Sequence, residues 1–376
     1  MARVLVTAHL GRHFRIFGQY DYKVLLSLGH EVHIAANFND SVDQFEDSNV
    51  IKHQVDFSRN PFSFVNLNAI KQLKKILDDH NFDLVHTQSP SGGAITRVAA
   101  RGARKNGTKV LYTAHGFHFF QGAPMKNRLI FYNIEKFLGY MTDTIITIND
   151  EDYKAAKGKL PVKDVRHIHG VGIDLDKFKP QTSEEKILLR NQYGYSSEDF
   201  LIICAGELSY RKNQTLLINS IFKLKEKIPY IKLLLVGSGD FLNQYQQQVE
   251  NLGIKDNVDF LGYRKDVVNL MRMSDIAVSA SRQEGLPVNV MEAMATGLPL
   301  VVTNCRGNRD LVKTGENGFV VEIDDVEGFS NSIYNLYSNK ETREKFKMKN
   351  LEKINIYALD AITEEMKKIY SDNLSF

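Results

Sequence analysis

The sequence predicts an α/β protein built as two tandem Rossmann-like domains, each a doubly wound parallel sheet flanked by helices. Three observations carry that reading. The chain has 376 residues, more than one hydrophobic core ordinarily organises. Short apolar runs of strand length alternate with amphipathic segments of helix length, the grammar of βαβ units. The alternation then restarts after a polar break with a proline, Phe178-Lys179-Pro180-Gln181-Thr182-Ser183. Two open sheets in tandem are expected to leave a central cleft where the carboxyl ends of their strands face each other, and a ligand is expected there.

In the first half, Ala2 to Ala8, Val32 to Ala36, Leu84 to Thr87, Lys109 to Ala114 and Thr144 to Ile148 read as buried strands. Helical patterns cover Val65 to Asp79 and Ser91 to Asn106. In the second half the strand set is Phe200 to Ala205, Ile231 to Val236, Val258 to Leu261, Ile276 to Ser279, Leu300 to Thr303 and Phe319 to Val321. The tail from Glu341 to Tyr370 is charged and amphipathic and reads as helix. The expected domains are therefore 1–178 and 179–355, with 356–376 a helix that crosses back to brace the first.

Composition narrows the function classes. A 43% hydrophobic and 25% charged chain is that of a globular protein. No run approaches the roughly 20 apolar residues that span a bilayer, and Met1 leads into a strand without a signal-peptide pattern, so a cytoplasmic protein is expected. The two cysteines, Cys204 and Cys305, sit in or beside apolar runs and read as small buried hydrophobes, which argues against a disulfide framework or redox chemistry. Charge is uneven. Residues 1–178 hold 23 Lys/Arg and 18 Asp/Glu, while 179–376 hold 25 and 27. Between Arg97 and Lys136 eight basic residues, Lys126 among them, face one acid, Glu135, with Phe117, Phe119, Phe120, Phe131 and Tyr132 interleaved. Such a surface suits anionic headgroups or a lipid-linked phosphate, while a solvated helix face is the plainer explanation. No nucleic-acid partner is indicated.

The most informative stretch runs from Glu284 through Gly285, Leu286, Pro287 and Val288 to Glu292. Two carboxylates lie eight residues apart around a Gly-Leu-Pro turn that opens a helix over Val288 to Thr296. A helix that starts there offers free N–H groups and its positive dipole end, which suits a diphosphate. Glu284 can accept hydrogen bonds from sugar hydroxyls, and Glu292, two turns on, from a ribose diol. Helix capping and a solvated face would explain each acid alone, but not the coincidence of turn, spacing and the following Gly297-Leu298-Pro299.

This E-x7-E pattern resembles the retaining glycosyltransferases of family 4, which have the two-domain glycosyltransferase-B fold, and the resemblance covers nearly the whole chain. It implies that Glu284 binds the donor sugar and Glu292 the ribose. Gly206-Glu207-Leu208-Ser209-Tyr210-Arg211-Lys212-Asn213 is similar to the family's basic loop, so Arg211 and Lys212 would hold the diphosphate as it gains charge. Gly262-Tyr263-Arg264 resembles the nucleobase loop. Asn317-Gly318-Phe319 resembles a family turn, read here as a turn only. His169-Gly170-Val171-Gly172-Ile173-Asp174 resembles the segment before the hinge, with His169 where relatives carry Asn. In the first domain Thr113-Ala114-His115-Gly116-Phe117-His118 resembles a His-Gly element at the reacting sugar. His115 and Gly116 would meet the donor, and His118 the acceptor. The loop Ala8 to Phe14 retains only Gly11 of a Gly-rich donor loop, and Arg12 and His13 could instead meet an anionic acceptor, as could Lys126.

Within the family, the runs around His115 to Phe119, Gly122 to Asn127 and Ile146 to Tyr153 look most like bacterial exopolysaccharide and capsule enzymes. That subgroup implies a UDP-linked hexose or N-acetylhexosamine donor and an undecaprenyl diphosphate-linked saccharide acceptor at the inner membrane face. Ser89-Pro90-Ser91-Gly92-Gly93, opening a helix, could hold the acceptor phosphate or simply cap. The resemblance also implies metal-independent chemistry with no resident cofactor. Gly237-Ser238-Gly239-Asp240-Phe241-Leu242 begins like a dinucleotide fingerprint but fails at position 242. Asp150-Glu151-Asp152 and Asp174-Leu175-Asp176 have a metal-binding spacing but read as a helix cap and a hinge. The rival functions are a nucleotide-sugar epimerase or hydrolase on the same fold and an inactive membrane-associated scaffold.

Overall fold

The computed structural model describes residues 1–39, 45–58, 60 and 63–374. Its strands in chain order are β1 (Arg3–Leu10), β2 (Glu31–Asn37), β3 (Ile51–Gln54), β4 (Leu84–Gln88), β5 (Lys109–Ala114), β6 (Thr144–Thr147), β7 (Asp164–His167), β8 (Phe200–Ala205), β9 (Ile231–Val236), β10 (Val258–Gly262), β11 (Ile276–Ser279), β12 (Leu300–Thr303) and β13 (Gly318–Val321). The helices are α1 (Arg12–Phe17), α2 (Tyr22–Ser27), α3 (Val65–His80), α4 (Pro90–Ala99), α5 (Arg101–Lys105), α6 (Met125–Gly139), α7 (Asp150–Lys159), α8 (Ser183–Tyr193), α9 (Gln214–Leu224), α10 (Leu242–Asn251), α11 (Val267–Met273), α12 (Val288–Ala295), α13 (Asn308–Leu311), α14 (Val326–Ser338), α15 (Lys340–Lys353) and α16 (Leu359–Leu374).

The chain forms two compact units, Met1–Gly172 with Leu359–Phe376, and Ile173–Ala358. The first contains a seven-stranded sheet in the order β3-β2-β1-β4-β5-β6-β7, the second a six-stranded sheet in the order β10-β9-β8-β11-β12-β13. Every pairing is parallel. Each unit is therefore a doubly wound Rossmann-like sheet, as the alternation of the sequence predicts. The order of each sheet reverses at its first strand, between β1 and β4 and between β8 and β11. Helices leave that crevice on opposite faces, which opens a pocket at the strand ends.

Apolar runs become central strands because both faces are covered. Leu5, Val85 and Val110 pack against Leu73 and Leu77 of α3 in the first unit. Ile202, Leu233 and Val278 pack against Leu217 of α9 and Phe329 of α14 in the second. Cys204 and Cys305 are buried free thiols. The two strands absent from the sequence reading are β3, Ile51-Lys52-His53-Gln54, and β7, Asp164-Val165-Arg166-His167, each at a sheet edge. The helix expected over 91–106 is two, because Ala100 interrupts it. The units divide at Gly172/Ile173 and Ala358/Leu359, where Ile173 bridges to Ala358, rather than at 178/179 and 355/356.

Residue α16 positions are part of the first unit: Ile362, Met366, Ile369 and Tyr370 are buried, and the Tyr370 hydroxyl lies 2.7 Å from His86 Nδ1. His169 Nδ1 sits 2.8 Å from Glu365 Oε1, so the histidine that replaces an expected asparagine holds α16. That hydrogen bond raises the His169 pKa above the ordinary imidazole value, against the effect of burial. No helix among the described residues is long and apolar enough to cross a membrane.

Candidate functional site

In the second unit Arg211, Lys212, Glu284 and the start of α12 come together at the β8/β11 crevice, whereas Gly262, Tyr263 and Arg264 follow the edge strand β10. Glu284 follows β11 and is 7% exposed, and Lys212 Nζ lies 2.7 Å from its Oε1. Arg211 Nη1 lies 3.1 Å from Oε2 and also donates to the Gln283 carbonyl at 3.2 Å. Burial pushes the Glu284 carboxyl up, but Lys212, then Arg211, outweigh it and hold it below the usual carboxylate range. An ionised acid is thus kept dry by two cations, each within reach of whatever displaces it.

The loop from Gly206 to Asn213 is fixed in place. The Arg282 N–H donates to the Arg211 carbonyl at 2.8 Å, the Arg282 guanidinium reaches Asn213 Oδ1 at 3.0 Å, and it stacks over Tyr210 at 4.6 Å. The glycines that imitate a dinucleotide fingerprint have a packing role instead. A Cβ on Gly237 would strike the Gly206 carbonyl, and one on Gly239 the Leu208 carbonyl. Gly285 is approached just as closely by Gly307, where a Cβ would strike the Gly285 carbonyl. The buried Arg306 donates to the Glu284 carbonyl at 2.9 Å. Arg306 was not legible as part of this site, since nothing in its local sequence marks it.

Pro287 caps α12, with Leu286 buried ahead of it and Val288 as first helical residue. The N–H groups of Val290 and Met291 return to the Pro287 carbonyl, and the N–H groups before them are those a helix leaves over. Asn289 Nδ2 ties the helix start to the Ala205 carbonyl at the end of β8, at 2.8 Å. Glu292 lies about one turn further along α12 and its carboxylate forms no ion pair among the described residues. Burial raises its pKa to about 7, with Lys177 opposing. Gly262 adopts a φ of 64°, and Tyr263 beside it is 72% exposed, a free ring face. The Arg264 guanidinium is taken up by Asp266 at 2.8 and 2.6 Å. Asn317 is a buried turn residue, its amide donating to Leu311 and Asn350.

In the first unit His115 stands at the end of β5, its Nε2 2.8 Å from Gln88 Oε1. The Tyr20 hydroxyl donates to the same Gln88 oxygen at 2.6 Å, and Gln88 Nε2 donates to Asp21 at 2.7 Å. His13 Nε2 lies 3.4 Å from Asp21, and its ring stands 5.9 Å from that of His115. Burial, then His13 and His86, lower the His115 pKa to about 3, so it is a neutral hydrogen-bonding group at physiological pH. Gln88, Tyr20 and Asp21 complete this cluster and were not legible in the sequence. Gly11 caps α1, its N–H already bonded to the Asn37 carbonyl at 2.9 Å, and Arg12 is exposed beside it.

His118 does not join His115. It is exposed, packs on Phe131 with ring centroids 4.8 Å apart, and lines a cavity of about 360 Å³ with His9, Ser91, Tyr112, Gly116 and Ile134. Lys126 is exposed in the first turn of α6 and is not among the residues lining that cavity. Ser89 precedes α4 at a φ of 68° and makes no capping hydrogen bond. The basic surface is smaller than the sequence suggests. Arg97 is fully buried, bonded to Glu135 at 2.8 and 3.1 Å and stacked on Tyr112 at 3.9 Å. The acids of Asp150-Glu151-Asp152 are engaged in local structure: Asp152 accepts from the Phe117 N–H at 3.0 Å and Glu151 from the Gln121 N–H at 2.5 Å. Asp174 accepts from the N–H groups of Asp176 and Lys177.

Two family profiles match this chain, that of Glycosyl transferases group 1 over residues 185–353 and that of Glycosyl transferase 4-like over residues 8–149. The chain is 40% identical over 370 residues to the candidate glycosyltransferase EpsD of Bacillus subtilis, covering 98% of this chain and 96% of that one. It is 31% identical over 290 residues to the UDP-Gal:α-D-GlcNAc-diphosphoundecaprenol α-1,3-galactosyltransferase of Escherichia coli, covering 73% of each. Among solved structures it is similar to Anabaena HepE in complex with UDP, with a TM-score of 0.80 at 19% identity, covering 99% of this chain and all of that one.

Proposed function

The chain belongs to the family 4 glycosyltransferases of the GT-B fold, and from that premise we propose that it moves a hexose or N-acetylhexosamine, with retention of configuration, from a UDP-linked donor to a saccharide on undecaprenyl diphosphate. The observation that carries the reading is the dry Glu284 carboxylate held between Lys212 and Arg211 ahead of α12. The Escherichia coli relative acts on a diphosphoundecaprenol-linked sugar, and HepE binds UDP, which supports the choice of carrier and acceptor.

In this reading a donor diphosphate takes Lys212 and Arg211 from Glu284, and the freed carboxylate accepts hydrogen bonds from the sugar hydroxyls. The exchange turns the Glu284 carboxylate from ion-paired to hydrogen-bonded and pairs both cations with the diphosphate. Gly206, which leaves room beside Lys212, and the N–H groups of Gly285, Leu286 and Val288 around Pro287 receive the phosphates, Glu292 the ribose, and Gly262 with the Tyr263 ring the base. The glycosidic bond to the leaving phosphate breaks as the acceptor oxygen bonds to the anomeric carbon, and that phosphate takes the acceptor's proton. Lys212 and Arg211 stabilise the charge that builds on the leaving group, so no metal ion is required. From the first unit we assign neutral His115 with Gly116 to the reacting sugar, and Arg12, His13, His118 and Lys126 to the acceptor. We assign α6 to the cytoplasmic membrane face, as a peripheral contact.

Turnover of UDP-sugars by the purified chain, measured with and without an undecaprenyl diphosphate-linked saccharide, tests the proposal. Product is expected only with the glycolipid present. Equal donor consumption without acceptor would indicate a hydrolase or epimerase, and no nucleotide-sugar binding by calorimetry would indicate a scaffold.

A further inference from the structure

Three histidines from distant parts of the sequence meet at the other end of the first sheet. His33 lies on β2, His53 on the edge strand β3, and His80 ends α3. One nitrogen from each falls within 4.8 Å of the others. His33 is 1% exposed, and its ring lies 4.8 Å from that of His80 and 4.9 Å from that of Phe82. In register His33 pairs with Leu5, in the amino-terminal half of β1, whereas His115 and Gln88 stand at carboxyl strand ends. The cluster is thus remote from the proposed chemistry.

The hydrogen bonds fix which nitrogen faces which. His33 Nε2 lies 2.9 Å from Glu31 Oε1, so that nitrogen carries the proton and Nδ1 presents a lone pair. Opposite it, at 2.8 Å, stands His53 Nε2. Glu31 is itself held by Arg3 Nε at 2.5 Å. A carboxylate that orients one imidazole so that its other nitrogen faces further imidazoles is the arrangement that supports a bound transition metal. Burial, followed by the neighbouring histidines, lowers the His53 pKa to about 4, and burial outweighs Glu31 in lowering that of His33. Both rings are therefore neutral at neutral pH, each with one N–H and one lone pair, the form that binds metal.

We propose that His33, His53 and His80 form a site for a divalent transition metal ion such as zinc, with Glu31 orienting His33 and water completing the shell. Three imidazoles and one open position are a recurrent zinc donor set, and imidazole equally suits nickel and copper. On binding, neutral His53 moves its single proton from Nε2 to Nδ1 by exchange with water, and the ion takes the place that proton held between His33 Nδ1 and His53 Nε2, so neither ring changes charge. The two nitrogens must spread from 2.8 Å to about 3.3 Å to admit an ion roughly 2.0–2.1 Å from each. The ion would tie the mostly exposed strand β3 to β2 and to α3, so its role is structural.

The test uses the full chain freed of metal by a chelator, with zinc binding followed by calorimetry and cobalt(II) binding by its visible absorption. One ion per chain, a tetrahedral cobalt spectrum and a raised melting temperature are expected. His53→Gln and His80→Gln should each weaken zinc binding about tenfold or more, and Glu31→Gln about tenfold. Metal-free melting curves establish that each variant is folded; should His53→Gln not fold, His80→Gln at the end of α3 decides. Failure of the wild type to bind zinc, or wild-type affinity in the folded histidine variants, would overturn the proposal.

Discussion

Glu284 and Glu292 stand eight residues apart, yet their surroundings drive their charge in opposite directions. Lys212 and Arg211 hold Glu284 ionised against its burial, whereas Glu292 has only the distant Lys177 to oppose burial and rises to about 7. Losing a preorganised charge at a reacting centre costs roughly 2.7–4 kcal/mol of barrier. Glu284→Ala and Lys212→Ala are accordingly expected to lower turnover at least about a hundredfold. Near-normal rates in folded variants would remove both residues from the mechanism. Glu292 carries a pH signature. A ribose diol that donates to its carboxylate favours the ionised form, so UDP binding near neutral pH should release protons and tighten as the pH rises through about 7. Calorimetry in two buffers of different ionisation enthalpy should show that release, and Glu292→Gln should abolish it. The acid pair and the basic loop were legible because turn, helix start and spacing stand in continuous sequence. Gln88, Tyr20 and Asp21 were not, because their roles arise only when β4 and the α1–α2 segment meet at His115.

At the scale of elements, α6 shows how one pairing changes the meaning of a charge pattern. Its only acid, Glu135, is buried against Arg97, which leaves Lys126, Arg128 and Lys136 exposed beside Met125, Leu129, Phe137 and Tyr140. Sequence counts both members of the Arg97–Glu135 pair as surface charge, since nothing local shows that Arg97 turns inward onto Tyr112. A helix with exposed cations among exposed apolar side chains suits an anionic bilayer surface. Each cation near such a surface is worth about 1 kcal/mol, so Lys126→Glu, Arg128→Glu and Lys136→Glu together should weaken sedimentation with phosphatidylglycerol vesicles by about a hundredfold or more. Unchanged sedimentation would exclude α6 as the contact. Glu135→Gln should act differently, leaving Arg97 buried without its counter-charge at about 3–5 kcal/mol of stability, read from chemical denaturation. The central strands were legible because burial on both faces demands continuous apolar runs. The edge strands β3 and β7 carry Lys52, His53, Gln54, Asp164, Arg166 and His167 and give no such signal. The histidine cluster was invisible for a related reason, its members being joined by β2–β3 pairing and α3 packing rather than by sequence spacing.

For the molecule as a whole, the amphipathic tail could be read from its periodicity, while its destination rests on contacts that no periodicity encodes. The first unit is completed by α16, whose Ile362, Met366, Ile369, Tyr370 and Leu374 are all buried. Burying such a side chain contributes about 1.5–3 kcal/mol, so five of them outweigh much of the roughly 5–15 kcal/mol that stabilises a domain. Polar contacts add specificity: His86 with Tyr370, Thr144 with Asn373, Arg166 with Asp372 and His169 with Glu365. A chain ended after Ala358 is therefore expected to lose the cooperative unfolding of its first unit, while Ile173–Ala358 keeps its own core and, with it, the UDP binding proposed for that unit. Hydrogen exchange resolves the two, and protection of β4 and β5 in the shortened chain would refute the argument. The His169 contact adds a pH dependence whose sign follows from its raised pKa. Its contribution is fully present below the unfolded imidazole value of about 6.5 and is lost as the pH rises through the higher folded value. The stability of the first unit should fall over that window in the native chain, and His169→Asn should flatten that component of the fall without removing α16.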